Sequence, residues 1–405
     1  MPGLYDSFGS ERFDELYTKY EQDESIPQHR IAAQTLILDL LKERAETGRI
    51  YIMNIDHCNS HSSFKDQVFM SNLCQEITLP THPLTHIDDL VGEIALCILS
   101  AVNVGKINSD KELEELCELA VRGLEELIDY QDYPVKAAEI ATKARRSLGI
   151  GYIGLAHYLA KLGFKYGSQE AWDAVHGLSE SFQYYLLKAS NKIAEEKGHC
   201  EYFGRTKYAD GILPIDTYKK DVDEITSHKL DHDWDSLRTS IKQHGLRHST
   251  LSAQMPSESS SVVCNATNGI EPPRDYLSVK KSKKGPLKQV VPSYGSLKNN
   301  YTLLWDMESN EGYINIVAVM QKFFDQAISG NWSYNPEHYP DNEVPVSVMA
   351  QDLLTTYKYG WKTSYYQNTN DLKTDEIEES SNDLDSLVGS ILENNEEETC
   401  ESCAI

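Results

Sequence analysis

Apolar residues recur along this chain in two rhythms, one near 3.6 residues and one near 2, the periods of helix and strand. QHRIAAQTLILDLLKERAET (28–47) has helical apolar spacing and stops before Gly48. RIYIMNIDHC (49–58) alternates apolar with polar and predicts a strand. GEIALCILSAVNVG (92–105) is a short, β-rich apolar run closed by glycine, the pattern of a buried strand. Ser109, with Glu112 three positions on, reads as a capping box for a long helix through Ile128. Another helix is predicted over 134–148, and helical patterns continue through 151–198. Residues 246–275 mix a short apolar strand with a Pro-Ser-Glu-Ser-Ser-Ser turn; a helix over 313–329 and strands near 301–305 and 361–366 follow. No segment repeats at a period of 20 to 50 residues. Alternating strands and helices predict an α/β fold.

At 405 residues the chain can bury a large core, as two or three domains or one big barrel. Apolar residues at 40% and charged residues at 25% fit a folded protein, and no apolar run approaches the length of a membrane span. The start, MPGLYDSFGSERF, lacks a basic segment followed by an apolar one, so a cytoplasmic location is expected. A net charge of -25 argues against nucleic-acid binding, which needs clustered Lys and Arg to neutralise phosphates. Residues 371–405 carry eleven of those charges, which divides the chain into an ordered part, 1–370, and an acidic tail. The basic cluster VKKSKKGPLK (279–288) is rich in turn formers and reads as a solvated loop, with a docking surface as the other reading. Eight cysteines without a secretory signal are no disulfide framework. Cys117 reads as core on a helix, while Cys200 and Cys264 have no partner recognisable in the sequence.

Candidate chemistry begins at Ser71–Pro80, SNLCQEITLP. In an extended segment Asn72, Cys74 and Glu76 project to one side, so an amide, a thiol and a carboxylate would converge. Gly149-x-Gly151-x-x-Gly154 has the spacing of a dinucleotide fingerprint, but that motif must follow a strand. A helical pattern precedes it, so close helix packing is the expectation. His57, Cys58, His61, His82 and His86 lack the second ligand pair a structural zinc site needs, and read as loop histidines and a buried thiol. PSESSS (256–261) can be a capped turn or a cradle of hydroxyls and backbone N–H groups for an anion. Cys400-Glu401-Ser402-Cys403, within the tail, suits thiol exchange, and a flexible stretch of that length spans roughly 30 Å. Tyr365 and Tyr366 on their own read as packing residues.

Taken together, SNLCQEITLP, GEIALCILSAVNVG, MPSESSSVVCNATNGIEPPR, KTSYYQNTND and CESCAI resemble, in order and spacing, the large catalytic subunit of class I (aerobic) ribonucleotide reductase. The resemblance runs over almost the whole chain. It implies the second half of a ten-stranded α/β barrel with Cys74 on a finger loop, as a transient thiyl radical that abstracts the ribose 3′ hydrogen. Glu76 would be general base on the 3′-hydroxyl, Asn72 would orient substrate, and Cys97 would be one half of the reducing dithiol. Asn72, Leu73, Cys74, Gln75 and Glu76 would contact a nucleoside diphosphate, whose phosphates would lie on Pro256, Ser257, Glu258, Ser259 and Ser260. Tyr365 and Tyr366 would pass the radical from a separate small subunit that carries a di-metal/tyrosyl cofactor. Cys400 and Cys403 would re-reduce the spent disulfide and be reduced in turn by thioredoxin or glutaredoxin. No metal or other cofactor is implied on this chain itself.

Members of that family are about twice this length. The N-terminal activity domain, the specificity site, the first half of the barrel and the cysteine that pairs with Cys97 would lie elsewhere. The expectation is one product of a split, phage-type gene, complemented by an N-terminal chain. Alone, it should expose strand edges and apolar surface and associate with itself. The tail pair is also closer together than in many relatives. A rival reading is a non-catalytic fragment that binds the small subunit as an assembly or decoy factor. The joint presence of Cys74, Glu76, Cys97, Tyr365, Tyr366, Cys400 and Cys403 weighs against it.

Overall fold

The computed structural model describes residues 1, 3–282 and 285–370. The acidic segment 371–405, with Cys400 and Cys403, lies outside the described residues. Helices α1 (Glu11–Glu21) and α2 (Ala33–Thr47) lead into strand β1 (Ile52–Met53) and helix α3 (Ile55–Ser60). Strand β2 (Ile98–Asn103) is followed by α4 (Asp110–Tyr130) and α5 (Lys136–Arg145). Strand β3 (Leu148–Ile153) is followed by α6 (Leu155–Leu162), α7 (Gln169–Lys197), α8 (Pro214–Thr217) and α9 (Trp234–His244). Next come α10 (Glu258–Val263), β4 (Leu277–Ser282), β5 (Gly285–Val290), α11 (Tyr294–Leu297) and α12 (Glu311–Gln321). The described chain closes with β6 (Trp332–Tyr334), α13 (Val346–Lys358), β7 (Thr363–Ser364) and β8 (Gln367–Thr369).

The long helices form where the sequence supplies both a start signal and an apolar stripe. Ser109 Oγ accepts the Glu112 N–H at 3.2 Å, and the Glu112 carboxylate accepts the Asn108 N–H at 2.9 Å, so orphan donors at the start of α4 are met. Leu113, Cys117, Val121, Leu124 and Ile128 then bury one face of α4 against α7. The cation-carboxylate pairs across that seam, such as Lys188–Glu114 and Arg122–Glu196, are solvent-exposed and add little. Helix α12 is buried all round, from Gly312 through Gln321, and forms the middle of the core with Phe182, Phe323, Phe324 and Tyr152.

That core supports a parallel ladder. β2 pairs with β3 from Ile98↔Leu148 to Asn103↔Ile153. β3 bridges Ser252 from Ile150, and Gln254 bridges Ile328, again in parallel. Helices cover each crossover, the arrangement a parallel sheet requires. The Asp325 carboxylate accepts the Leu251 and Ser252 N–H groups at 3.0 and 2.9 Å and the Tyr208 hydroxyl at 2.7 Å, locking the third segment of the ladder to the fourth. Beyond it, β6 lies parallel to β8 and β1 antiparallel to β7. These segments are the staves of half an α/β barrel. Among the described residues no strand is paired to the outer edge of β2.

Several predicted elements differ. The strand expected over 49–58 is only Ile52–Met53, because the chain turns into α3 after Asn54. The helix expected over 313–329 ends at Gln321, and residues 326–329 join the ladder. Residues 279–282 and 285–288 belong to the paired strands β4 and β5 and not to a loop, and 301–305 contains no strand. The glycines expected to serve helix packing lie in and just after a fully buried strand. A Cβ on Gly151 would stand 2.6 Å from the Ala253 carbonyl oxygen, so these glycines let strands and not helices approach. Gly154, at φ 81°, turns the chain from β3 into α6. Cys117 is core on α4, as expected.

Candidate active site

The extended reading of SNLCQEITLP does not hold. Residues 72–77 form a closed turn: the Gln75 N–H reaches the Asn72 carbonyl at 3.2 Å, and the Asn72 N–H reaches the Ile77 carbonyl at 3.3 Å. The Asn72 side-chain oxygen accepts the Ile77 N–H at 3.1 Å, and Gln75 takes the left-handed conformation at φ 67°. Asn72 therefore fastens the base of the turn instead of lining up with Cys74 by pleat. Leu73 at the tip is 76% exposed, Cys74 is half-buried, and Gln75 and Glu76 are buried. The ladder fixes the loop from below: the Ala327 N–H donates to the Glu76 carbonyl at 3.0 Å. Ser329 Oγ donates to the Cys74 carbonyl at 2.5 Å and to Glu76 Oε2 at 3.1 Å. One hydroxyl thus holds both the thiol's backbone and the carboxylate.

The tyrosine pair meets this loop from the other end of the chain. The Tyr365 hydroxyl donates to Cys74 Sγ at 3.3 Å. Its ring lies 4.0 Å from that of Tyr366, and the ring of Tyr51 sits 4.7 and 5.6 Å from the two. Tyr365 is 4% exposed and Tyr366 37%, so the row runs from surface to interior. Burial, then the bond to Cys74, holds the Tyr365 phenol above its usual pKa. Hydrogen bonds from Tyr365 and Tyr51 pull Tyr366 below the usual value. Burial and its bond to Tyr366 raise Tyr51. A phenol–phenol–thiol row at these spacings can relay one electron and one proton per step.

Cys97 approaches from the edge of β2. Gln326 Nε2 donates to its sulfur at 3.8 Å and to the Leu148 carbonyl at 2.8 Å, while Gln326 Oε1 accepts the Thr78 N–H at 3.3 Å. A Cβ on Gly149 would stand 2.9 Å from the Cys97 sulfur and 3.3 Å from Ile77 Cδ1, so that glycine opens the space where thiol and loop meet. Burial pushes the Cys97 thiol well above the ordinary range, and it stays protonated at neutral pH. Pro256 and Glu258–Ser260 are exposed where the ladder ends, and Ser257 is buried with its hydroxyl donating to the Met255 carbonyl at 3.2 Å. Residues 258–260 are the first turn of α10, whose amides have no acceptor within the helix by position.

The sequence had flagged neither Tyr51 nor Ser329 nor Gln326. Tyr51 stood in a segment read as plain strand, and nothing local distinguishes it. His57 and Cys58 lie buried on α3 and not in a loop, and the His61 ring bonds Thr217 Oγ1 at 2.9 Å and the Gln321 carbonyl at 2.7 Å. Among the described residues, no group of three or more His, Cys, Asp or Glu could hold a metal ion, and no helix is long and apolar enough to cross a membrane.

Half an α/β barrel that holds a cysteine on a loop above its strands, within hydrogen-bond reach of a pair of close-packed tyrosines, defines a barrel protein with a thiol at its site. The chain belongs to the ribonucleotide reductase family: its residues 1–299 and 294–367 match the family described as ribonucleotide reductase, barrel domain. It is 57% identical over 376 residues to the ribonucleoside-diphosphate reductase subunit alpha of Haemophilus influenzae, an alignment covering 92% of this chain and 50% of that protein. Against ribonucleoside-diphosphate reductase 1 subunit alpha of Escherichia coli it is 54% identical over 409 residues, covering 100% of this chain and 52% of that one. Against the subunit alpha of Enterobacteria phage T4 it is 43% identical over 377 residues, covering 91% and 49%. The chain spans about half the length of the curated relatives it matches.

Proposed function

We propose that this chain is the catalytic half of a ribonucleoside-diphosphate reductase, converting ribonucleoside diphosphates to 2′-deoxyribonucleoside diphosphates by thiyl-radical chemistry. The observation that carries the reading is the close-packed Tyr365–Tyr366 pair, ring centres 4.0 Å apart, ending 3.3 Å from Cys74 Sγ. Tyr366 accepts the radical from a separate small subunit with a di-metal/tyrosyl cofactor, and Tyr365 hands it to Cys74. The Cys74 thiyl removes the ribose 3′ hydrogen atom, Glu76 takes the 3′-hydroxyl proton, and Asn72 orients the sugar. The 2′-hydroxyl leaves as water while Cys97 and a second thiol supply two hydrogens and become a disulfide. Cys74 then returns its hydrogen to C3′. A Cys97 thiol that stays protonated suits delivery of a hydrogen better than nucleophilic attack.

The diphosphate lies on the first turn of α10, against Pro256, Ser257, Glu258, Ser259 and Ser260, with Leu73 and Gln75 contacting substrate from the loop tip. Cys400 and Cys403 reduce the disulfide by thiol exchange and pass the oxidation to thioredoxin or glutaredoxin. The open edge of β2 is where a complementary N-terminal chain completes the barrel and brings the thiol that pairs with Cys97. The test is CDP reduction by the chain reconstituted with that half and the small subunit. Cys74→Ser abolishes turnover while leaving small-subunit binding intact; CDP reduction by Cys74→Ser removes the radical assignment. Wild-type binding without any turnover would favour the decoy reading instead.

A further inference from the structure

Adjacent residues of a strand project to opposite faces, yet the rings of Tyr365 and Tyr366 lie 4.0 Å apart. The backbone at the pair therefore cannot be regular strand, and the register shows where regularity stops. β1 and β7 pair as Met53↔Thr363 and Ile52↔Ser364. One step further, that register would set Tyr51 against Tyr365, and the next would set Ile50 against Tyr366. The ladder ends instead, and Tyr365 and Tyr366 turn their N–H groups away, to the Gly330 carbonyl at 2.7 Å and Asn331 Oδ1 at 2.9 Å. The three rings fill the opening.

Ending a ladder strands carbonyl oxygens, and here one side chain collects them. Arg44, on α2, is fully buried; its Nη1 donates to the carbonyls of Ile50 and Tyr365, the latter at 2.9 Å, and its Nη2 to that of Tyr366 at 3.3 Å. Its guanidinium stacks 4.6 Å from the ring centre of Trp332. Among the described residues it has no carboxylate partner, and its Nε has no hydrogen bond. A buried cation without a counter-charge is costly, so the main-chain oxygens and the Trp332 ring must hold this one in place. The planar fork can reach all three carbonyls at once, which the ammonium of lysine, a point donor, does less well.

We propose that Arg44 is a positioning residue for radical transfer: it holds the end of the β1–β7 ladder open, so that the rings of Tyr365 and Tyr366 pack against each other and Tyr365 reaches Cys74. This rests on the radical role of the tyrosine pair proposed above. The test uses the reconstituted complex with Arg44→Gln, Arg44→Lys and, as a control on the pair itself, Tyr365→Phe. Misplacing the rings by about 1 Å lowers kcat for CDP roughly 10- to 100-fold in Arg44→Gln, with KM changed less than about twofold. The solvent deuterium isotope effect on kcat rises, because phenol transfer becomes rate-limiting, and Arg44→Lys recovers part of the rate. A kcat per folded complex within about twofold of wild type in both Arg44 variants overturns the inference; so does a loss confined to folded yield, with the isotope effect unchanged. If Arg44→Gln does not fold, Arg44→Lys alone decides by the same kcat and isotope readouts. Full activity of Tyr365→Phe defeats the radical role itself, independently of Arg44.

Discussion

Lys362 carries its ammonium into the core, where the carbonyls of Phe324, Asp325 and Gln326 receive it at 3.3, 2.9 and 2.8 Å. Burial pulls its pKa down to about 7, below the ordinary lysine value near 10.4. Between those limits the unfolded chain holds a proton that the folded chain has released, so this site makes stability rise with pH from about 7 to about 10, by up to about 1.4 kcal/mol per unit. Urea unfolding at pH 7 and pH 9 should show the gain in wild type and a smaller one in Lys362→Met; equal gains would rule the lysine out as its source. Glu125 has the opposite sign. Its burial opposes ionisation, but hydrogen bonds from His248, Arg146 and Arg247 bring the carboxyl down to about 2. Its contribution is present above about pH 4.3 and disappears as the pH falls toward 2. Glu125→Gln leaves Arg146 and Arg247 short of a counter-charge and costs about 3–5 kcal/mol, read as a lowered Tm at neutral pH and a flatter acid limb. At this scale the sequence revealed residues whose chemistry is marked by a motif, as with Cys74 and Glu76. Tyr51 and Arg44 were invisible because what distinguishes them is contact with residues about 320 positions away.

Among the elements, β3 shows how packing decides what a pattern means. LGIGYIGL looks alike whether its glycines face a nucleotide, a helix or a neighbouring strand, and only the strand beside it settles which. The first two of its three glycines should respond differently to a methyl group. At Gly149 the new Cβ meets Leu99 Cδ2 and the Cys97 sulfur, side-chain atoms that can move; at Gly151 it meets the backbone oxygen of Ala253 at 2.6 Å. Gly151→Ala therefore destabilises by about 1–3 kcal/mol or misfolds, while Gly149→Ala folds and shifts the reactivity of Cys97 toward thiol reagents. Equal thermal stabilities for the two variants would contradict this. Helices with caps and stripes, such as α4, were legible because their signals are local. The ends of the 49–58 and 313–329 elements were not: the 326–329 segment leaves helix for ladder because Gln254 and Ser252 offer it strand partners, a preference no local period encodes.

For the whole molecule, alternation of strand and helix conveyed the class of fold, and the family resemblance its half-barrel form. β2 carries Leu99 exposed, and Ile87, Leu90, Val91 and Leu96 lie bare in the segment that precedes it. Such a surface predicts self-association of the isolated chain, seen as oligomers in size-exclusion chromatography and reversed by the complementary half. A monodisperse monomer at micromolar concentration would refute that. The contrast between Tyr366, partly open to solvent, and Tyr365, nearly sealed, has a further consequence for the proposed chemistry. A donor must rest against Tyr366 itself, so the footprint of the partner and the first step of the reaction share one side chain. Affinity and rate then cannot be tuned apart at that position, and selection on either one acts on both.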